Sequence, residues 1–414
     1  MRQGGANGER QRERKRHPAL TMRVTHIITR LIVGGAQENT VATVLGLRQR
    51  PDVQVALISG PTYGPEGSLE SLVTAHPGLL TIVPTLIRPV SPWNDGRALR
   101  HLTKLLKSSL PEVVHTHSGK GGILGRLAAR KAGVPVIIHH IHGPSFGPFQ
   151  GRLANWVFTT AERYAAGVTT HFVCSANAMS RIYLAAGIGT PEMFTRVFSG
   201  FPIEPFLAAR NEPALRAQLG FSAQDFIIGK ISRLAPLKGH HDLLLALKDL
   251  LPRHPSARLL FVGDGSARTE IEAETRSLGL RDKVVFSGLV SPAQVPACVG
   301  IMDCVAHLSY REALSRALPQ GLAAAKPIVA YDFDGADEVC LEGETGFIVR
   351  TGDISSVTNR LATLAADPQL RTRLGLRGQA MVREQFPVER MVDRLYELYV
   401  KLLRSSSSSS SRRV

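Results

Sequence analysis

Arg233 and Lys238 stand five positions apart in Ser232-Arg-Leu-Ala-Pro-Leu-Lys-Gly-His240, after an apolar run and before the helical stretch LLLALKDL. Two permanent cations beside a helix amino end can hold a departing phosphate group. Glu312 and Gln320 stand eight positions apart in His307–Ala330. The spacing of Leu314, Ala317, Leu318, Leu322 and Ala325 predicts a helix opened by Glu312 and stopped by Pro327. Eight positions are a little over two turns, so Glu312 and Gln320 are expected to share a face. With free amides at the helix start, at Leu314 and Ser315, that face suits a sugar and a phosphate.

The other chemically informative residues also follow apolar runs. Gly34 and Gly35 in LIVGGAQEN permit close backbone approach before a helix. His115 and His117, spaced i, i+2 on one strand face, could hold a metal, but the sequence shows no third ligand and no metal is assigned. Lys120 follows, placed either to meet an acceptor phosphate or to be solvated. In His139-His-Ile-His142-Gly143, one imidazole is expected to reach a cleft, where it can hydrogen-bond developing phosphate charge or a hydroxyl. Gly263, Asp264 and Gly265 form a turn after Leu260–Val262, short of a dinucleotide fingerprint. Asp332 and Asp334 spell a DxD pair, which is discounted as a metal site.

The elements that must position these residues alternate. Strands are expected at Val24–Ile28, Val53–Ile58, Leu80–Val83, Val113–Thr116, Val136–His139, Phe172–Cys174 and Val197–Phe198. A second set is expected at Phe226–Ile231, Arg258–Val262, Val284–Phe286, Cys304–His307, Ile328–Ala330 and Phe347–Val349. Continuous apolar strands separated by amphipathic helices imply parallel sheets covered on both faces. The pattern restarts after the linker Phe201–Phe206. The fold class is α/β, with two doubly wound Rossmann-like domains facing a central cleft at their strand carboxyl ends. The expected division is a disordered basic tail over 1–21, domains over 22–203 and 204–385, a helix over 386–404 that crosses back, and a disordered Ser-rich tail over 405–414. Met22 is expected to be the natural start, since the block RQRERKR before it cannot bury apolar area.

With 414 residues, 43% of them hydrophobic, the chain can build two full cores. Its four cysteines form no CxxC pair, which points to free thiols in a reducing cytoplasm. The net charge is +16, and residues 1–205 carry 23 Lys/Arg against 11 Asp/Glu. That balance suits an anionic partner surface such as lipid head groups. Nucleic acid is set aside, because aromatic residues are 6% and no recognition motif appears.

Taken together, Glu312 with Gln320, the GGAQ loop, the HTH-plus-glycine segment, His142-Gly143 and the RLxxxKG segment resemble the retaining glycosyltransferases of family four, which have the GT-B architecture. The resemblance covers Met22 to Leu403 and is nearest to bacterial surface-polysaccharide members. It implies metal-independent sugar transfer from a UDP- or GDP-linked donor, without a cofactor, to a glycan or lipid-linked acceptor hydroxyl. By the same resemblance His142, Arg233, Lys238 and Glu312 are catalytic. Gly34, Gly35, Gly263, Asp264, Leu314, Ser315 and Gln320 hold the donor, and Gln37, His117 and Lys120 the acceptor. The family usually has Glu where Gln320 stands, so the ribose would meet a neutral partner. The implied location is the cytoplasm, at the inner face of the plasma membrane. An epimerase or phosphorylase of the same fold, or a non-catalytic binding protein, stays open at this level.

Overall fold

The computed structural model describes residues 21–64, 67–147 and 149–410. The expectations for residues 1–20 and 411–414 lie outside the described residues. The first sheet contains β1 (Met22–Ile28), β2 (Val53–Ser59), β3 (Leu80–Ile82), β4 (Val113–His117), β5 (Val136–Ile141), β6 (His171–Cys174) and β7 (Phe194–Arg196). All are parallel, in the order β3-β2-β1-β4-β5-β6-β7. The second contains β8 (Phe226–Ile231), β9 (Ala257–Val262), β10 (Val284–Phe286), β11 (Cys304–His307), β12 (Ile328–Tyr331) and β13 (Gly346–Val349), in the order β10-β9-β8-β11-β12-β13. Strand order therefore reverses between β1 and β4, and again between β8 and β11. Loops leaving neighbouring strands at such a point diverge to opposite sheet faces and open a crevice for ligand.

Side-chain alternation assigns each sheet face a cover. Ile27, Ile58, Val114 and Ile137 pack against Leu102 and Leu106 of the Pro92–Ser109 helix and Ala128 and Ala129 of the Gly119–Ala132 helix. On the opposite face Val24, Val113, Val136 and Val173 pack under Met391, Leu395 and Tyr399 of the C-terminal helix. That helix spans Val388–Ser410, longer than the apolar periodicity to Leu403 predicts. Ser405 Oγ donates to Lys401 O at 3.1 Å and Ser406 Oγ to Leu403 O at 2.8 Å, bonds that serine makes readily in a continuing turn.

Two local expectations change. The seventh strand is Phe194–Arg196, whereas the apolar pair Val197 and Phe198 follows it into the core, at 0% and 5% exposure. Phe201, Ile203 and Phe206 of the linker are buried in the second domain's core with Phe386. The linker is therefore pinned, since apolar side chains leave water wherever a core face is within reach.

Candidate active site

The loop that follows β5 of the first sheet meets the loops at the second sheet's reversal point, and together they line a cavity of about 720 Å³. His142, Arg233, Lys238 and Glu312 all line it, beside Phe146, Phe149, Tyr310 and Asp334. An adjoining cavity of about 300 Å³ shares His142 and Glu312 and adds Gly35, Leu314 and Ser315. One imidazole, two cations and one carboxylate thus meet from three loops that lie far apart in sequence.

Glycine geometry explains how Lys238 reaches Glu312. Gly239 has φ +66°, and a Cβ there would lie 1.8 Å from Leu308 O. Only glycine lets these loops approach so closely. Tyr310 N then donates to Leu237 O at 2.9 Å, with Leu237 held at φ +63°. Clamped this way, Lys238 Nζ donates to Glu312 Oε1. Exposed Arg233 has no carboxylate partner among the described residues.

Glu312 does not open a helix. The helix spans only Ala317–Ala323, and Glu312 lies in the preceding loop. Asp334 Oδ2 accepts from Glu312 N at 2.7 Å, so a tertiary bond replaces the helical one. Glu312 and Gln320 consequently share no helix face, and half-buried Gln320 lines neither cavity. Asp332 is used separately, accepting from Thr351 N at 2.7 Å, so the DxD spelling is two unrelated loop anchors.

Three acceptor-side assignments change as well. Lys120 pairs with Asp95 at 2.6 Å and donates to Pro89 O, so its charge is already matched. Gln37 lines neither cavity, and a Cβ built at Gly34 would stand 3.0 Å from its Oε1. His117 is fully buried with both ring nitrogens engaged, which keeps it from touching a substrate. Among the donor residues, Gly263 at φ +134° lets the turn pack on Ser232 O, which a Cβ would approach to 2.2 Å. Asp264 accepts from Gly265 N at 2.7 Å and Arg268 at 3.0 Å, a turn-stabilising role outside both cavities.

Beneath His142 lies a histidine cluster that local sequence reading missed. Nδ1 of His26 lies 2.9 Å from Nε2 of His117, and Nδ1 of His117 lies 3.0 Å from Nε2 of His142. His140 stacks on His142 at 4.0 Å, and His115 Nδ1 contacts the Tyr399 hydroxyl at 2.5 Å. The missing third ligand for His115 and His117 is therefore present. Ring nitrogens of His26, His115 and His117, and of His117, His140 and His142, lie within 4.8 Å of one another. His117 belongs to both triads, and both its nitrogens are already hydrogen-bonded. The short N···N contacts run from ring edge to ring edge, so these rings fit a hydrogen-bonded ladder better than a metal shell. Burial lowers the pKa of His26 and His142 to about 3, with Arg316 adding to the effect at His142. Both imidazoles are neutral at pH 7.

Two further residues close the site. Half-buried Arg316 pairs with Glu38 of the Gly35–Arg48 helix, joining the two domains across the cleft. Asp334 has φ +55°, and burial pushes its carboxyl up to about 6. An aspartate–glycine pair at a strand's carboxyl end was the available signal for Asp334.

Two doubly wound sheets with a cation-lined cavity between their carboxyl ends define a GT-B enzyme. Residues 211–381 match the family described as glycosyl transferases group 1, and residues 34–195 match the glycosyl transferase 4-like domain. The chain is 27% identical over 325 residues to a UDP-Gal:alpha-D-GlcNAc-diphosphoundecaprenol alpha-1,3-galactosyltransferase of Escherichia coli, covering 78% of this chain and 83% of that protein. It is 28% identical over 338 residues to the putative glycosyltransferase EpsD of Bacillus subtilis, covering 77% and 85%. The crystal structure of Anabaena HepE in complex with UDP superimposes with a TM-score of 0.77 at 22% identity, covering 92% of this chain and all of that one. The two models together span most of the chain, and the protein is a glycosyltransferase of GT-B architecture.

Proposed function

We propose that this glycosyltransferase is a retaining, metal-independent enzyme that moves a sugar from a UDP- or GDP-linked donor to a hydroxyl of a lipid-linked glycan or surface polysaccharide. The observation that carries the reading is the convergence of His142, Arg233, Lys238 and Glu312 on one cavity between the sheets. In this mechanism the bond from the anomeric carbon to the diphosphate oxygen breaks, and the acceptor oxygen bonds to the same face of that carbon. The acceptor's proton passes to the departing phosphate oxygen. Arg233 and Lys238 offset the charge that grows on the diphosphate, so no metal is needed for that purpose. Glu312 lies beside the positive charge that develops on the sugar ring, and His142 hydrogen-bonds a donor oxygen. The named E. coli relative, with its UDP-sugar and diphosphoundecaprenol substrates, supports this donor and acceptor class.

The acceptor class brings with it a peripheral position at the cytoplasmic face of an anionic membrane. The Arg152–Ala166 helix turns Leu153, Trp156, Val157 and Tyr164 outward, with Arg152 and Arg163 beside them. On the Pro92–Ser109 helix, separated from it by the Gly119–Ala132 helix, Trp93, Arg97, Arg100, Lys104 and Lys107 form one exposed stripe. Aromatic and basic residues together on an outer surface suit a lipid interface. Among the described residues, no helix is long and apolar enough to cross a membrane. Mass spectrometry together with proton NMR of the products, in reactions with a nucleotide-sugar panel and a short-chain lipid diphosphate glycan, tests the reading. Transfer with retained anomeric configuration in chelator supports it. Donor epimerisation, phosphorolysis or no reaction refutes it.

A further inference from the structure

The two imidazole–imidazole contacts constrain one another. A neutral imidazole carries one N–H and one lone pair, and a contact forms only when an N–H meets a lone pair. If His117 Nδ1–H donates to His142 Nε2, then His117 Nε2 must accept from His26 Nδ1–H, across distances of 3.0 and 2.9 Å. All three rings are then Nδ1–H tautomers. The reversed ladder makes all three Nε2–H tautomers. Mixed arrangements place two protons or two lone pairs face to face.

The buried end selects between the two states. Nε2 of His26 is buried without a partner, on a residue of 0% exposure. In the Nδ1–H ladder this orphan is a bare acceptor, and in the reversed ladder it is an N–H donor. Orphaned buried donors are rarer than under-satisfied acceptors. We propose that His26 and His117 are positioning residues that hold His142 as its Nδ1–H tautomer, so that His142 meets the donor substrate as a hydrogen-bond donor. The inference rests on the proposed role of His142 at the donor, but the ladder itself is observable without turnover. His26 makes no substrate contact in this reading, and its influence passes through two rings.

The test is nitrogen NMR of histidine-labelled full-length protein, which distinguishes Nδ1–H from Nε2–H rings without any reaction. In wild type, His26, His117 and His142 are expected to share the Nδ1–H form. His26→Asp places an acceptor-only group against His117 Nε2 and should reverse the whole ladder, converting His142 to Nε2–H. Turnover should then fall about tenfold or more, the range of one lost charge-assisted bond. His26→Asn can donate through its amide and should keep the wild-type tautomers and turnover. Wild-type rings in unlike tautomers overturn the proposal, as does a folded His26→Asp protein with His142 unchanged. Stoichiometric zinc binding that displaces these ring signals overturns it too. Intact ladder signals in a protein that transfers no sugar would refute the proposed function while leaving the ladder standing.

Discussion

Glu312 and Asp334, 22 residues apart, meet where the Glu312 backbone N–H donates to Asp334 Oδ2 at 2.7 Å. This bond holds the Glu312 loop open over the cavity that a helix start was expected to border. Asp334→Asn retains an acceptor and should preserve turnover, whereas Asp334→Ala leaves the amide unpaired, at a cost of about 1–3 kcal/mol. Burial raises the folded pKa of Asp334 from 3.8 to about 6, so the folded state binds the extra proton between those values. Its ionisation therefore opposes folding as pH rises through 6. The same new charge opposes an anionic donor. Nucleotide diphosphate affinity should weaken as pH rises through 6 in wild type and lose that step in Asp334→Asn. Calorimetric titration from pH 7 down to the onset of acid unfolding checks it, and identical profiles would refute it.

Arg233→Ala and Lys238→Ala should each weaken nucleotide diphosphate binding about tenfold or more and slow turnover. Lys238→Ala should be the more damaging, because it also strips Glu312 of its partner. Isothermal calorimetry decides the point. Wild-type affinity in both variants would remove these residues from the leaving-group site.

Gln320 lines neither cavity, so only the family resemblance puts it at the ribose; on that assignment Gln320→Glu should tighten nucleotide binding by about tenfold at most, since replacing a neutral hydrogen bond by a charged one gains roughly 1 kcal/mol. The transferred sugar should not change, because Glu312, Leu314 and Ser315, unlike Gln320, line the cavities. Equal or weaker nucleotide binding by the variant means that Gln320 is not a weakened ribose ligand.

The buried histidines make the protein sensitive to acid. His26, His142 and His240 have folded pKa values lowered to about 3, and His115, His117, His139, His140 and His307 are also well below 6.5. The unfolded chain binds these protons first, so stability falls as pH drops below about 6.5. Each site contributes on the order of 1.4 kcal/mol per pH unit, against a typical total of roughly 5–15 kcal/mol. Circular dichroism should show a steep loss of structure between about pH 6 and 5. A stable fold at pH 4.5 would contradict the assigned burial.

Binding to anionic vesicles should be salt-sensitive and should place Trp156 in an apolar environment. The chain has two tryptophans, so Trp93→Phe leaves Trp156 as the sole reporter. Its emission should shift to the blue with phosphatidylglycerol vesicles, less so at high salt, and Leu153→Asp should abolish the shift. Unchanged emission would exclude this helix as the lipid-facing surface.

Much of the architecture was legible in the chain because its signals are local. Apolar runs of strand length, alternating with amphipathic stretches, dictate parallel sheets covered on both faces. Glycines and cations at the ends of those runs mark the loops that reach the cleft, and the family resemblance singled out His142, Arg233, Lys238 and Glu312 within them. Tertiary structure decided which polar group meets which. A helical period from Leu314 to Ala325 cannot reveal that Asp334 takes up the Glu312 amide, or that Asp95 satisfies Lys120. Nor can strand spacing show that His26, 91 residues before His117, completes its hydrogen bonding. Periodicity reports which side of an element is buried. Hydrogen-bond partners depend on sheet order and loop approach, and those exist only once distant strands are laid side by side.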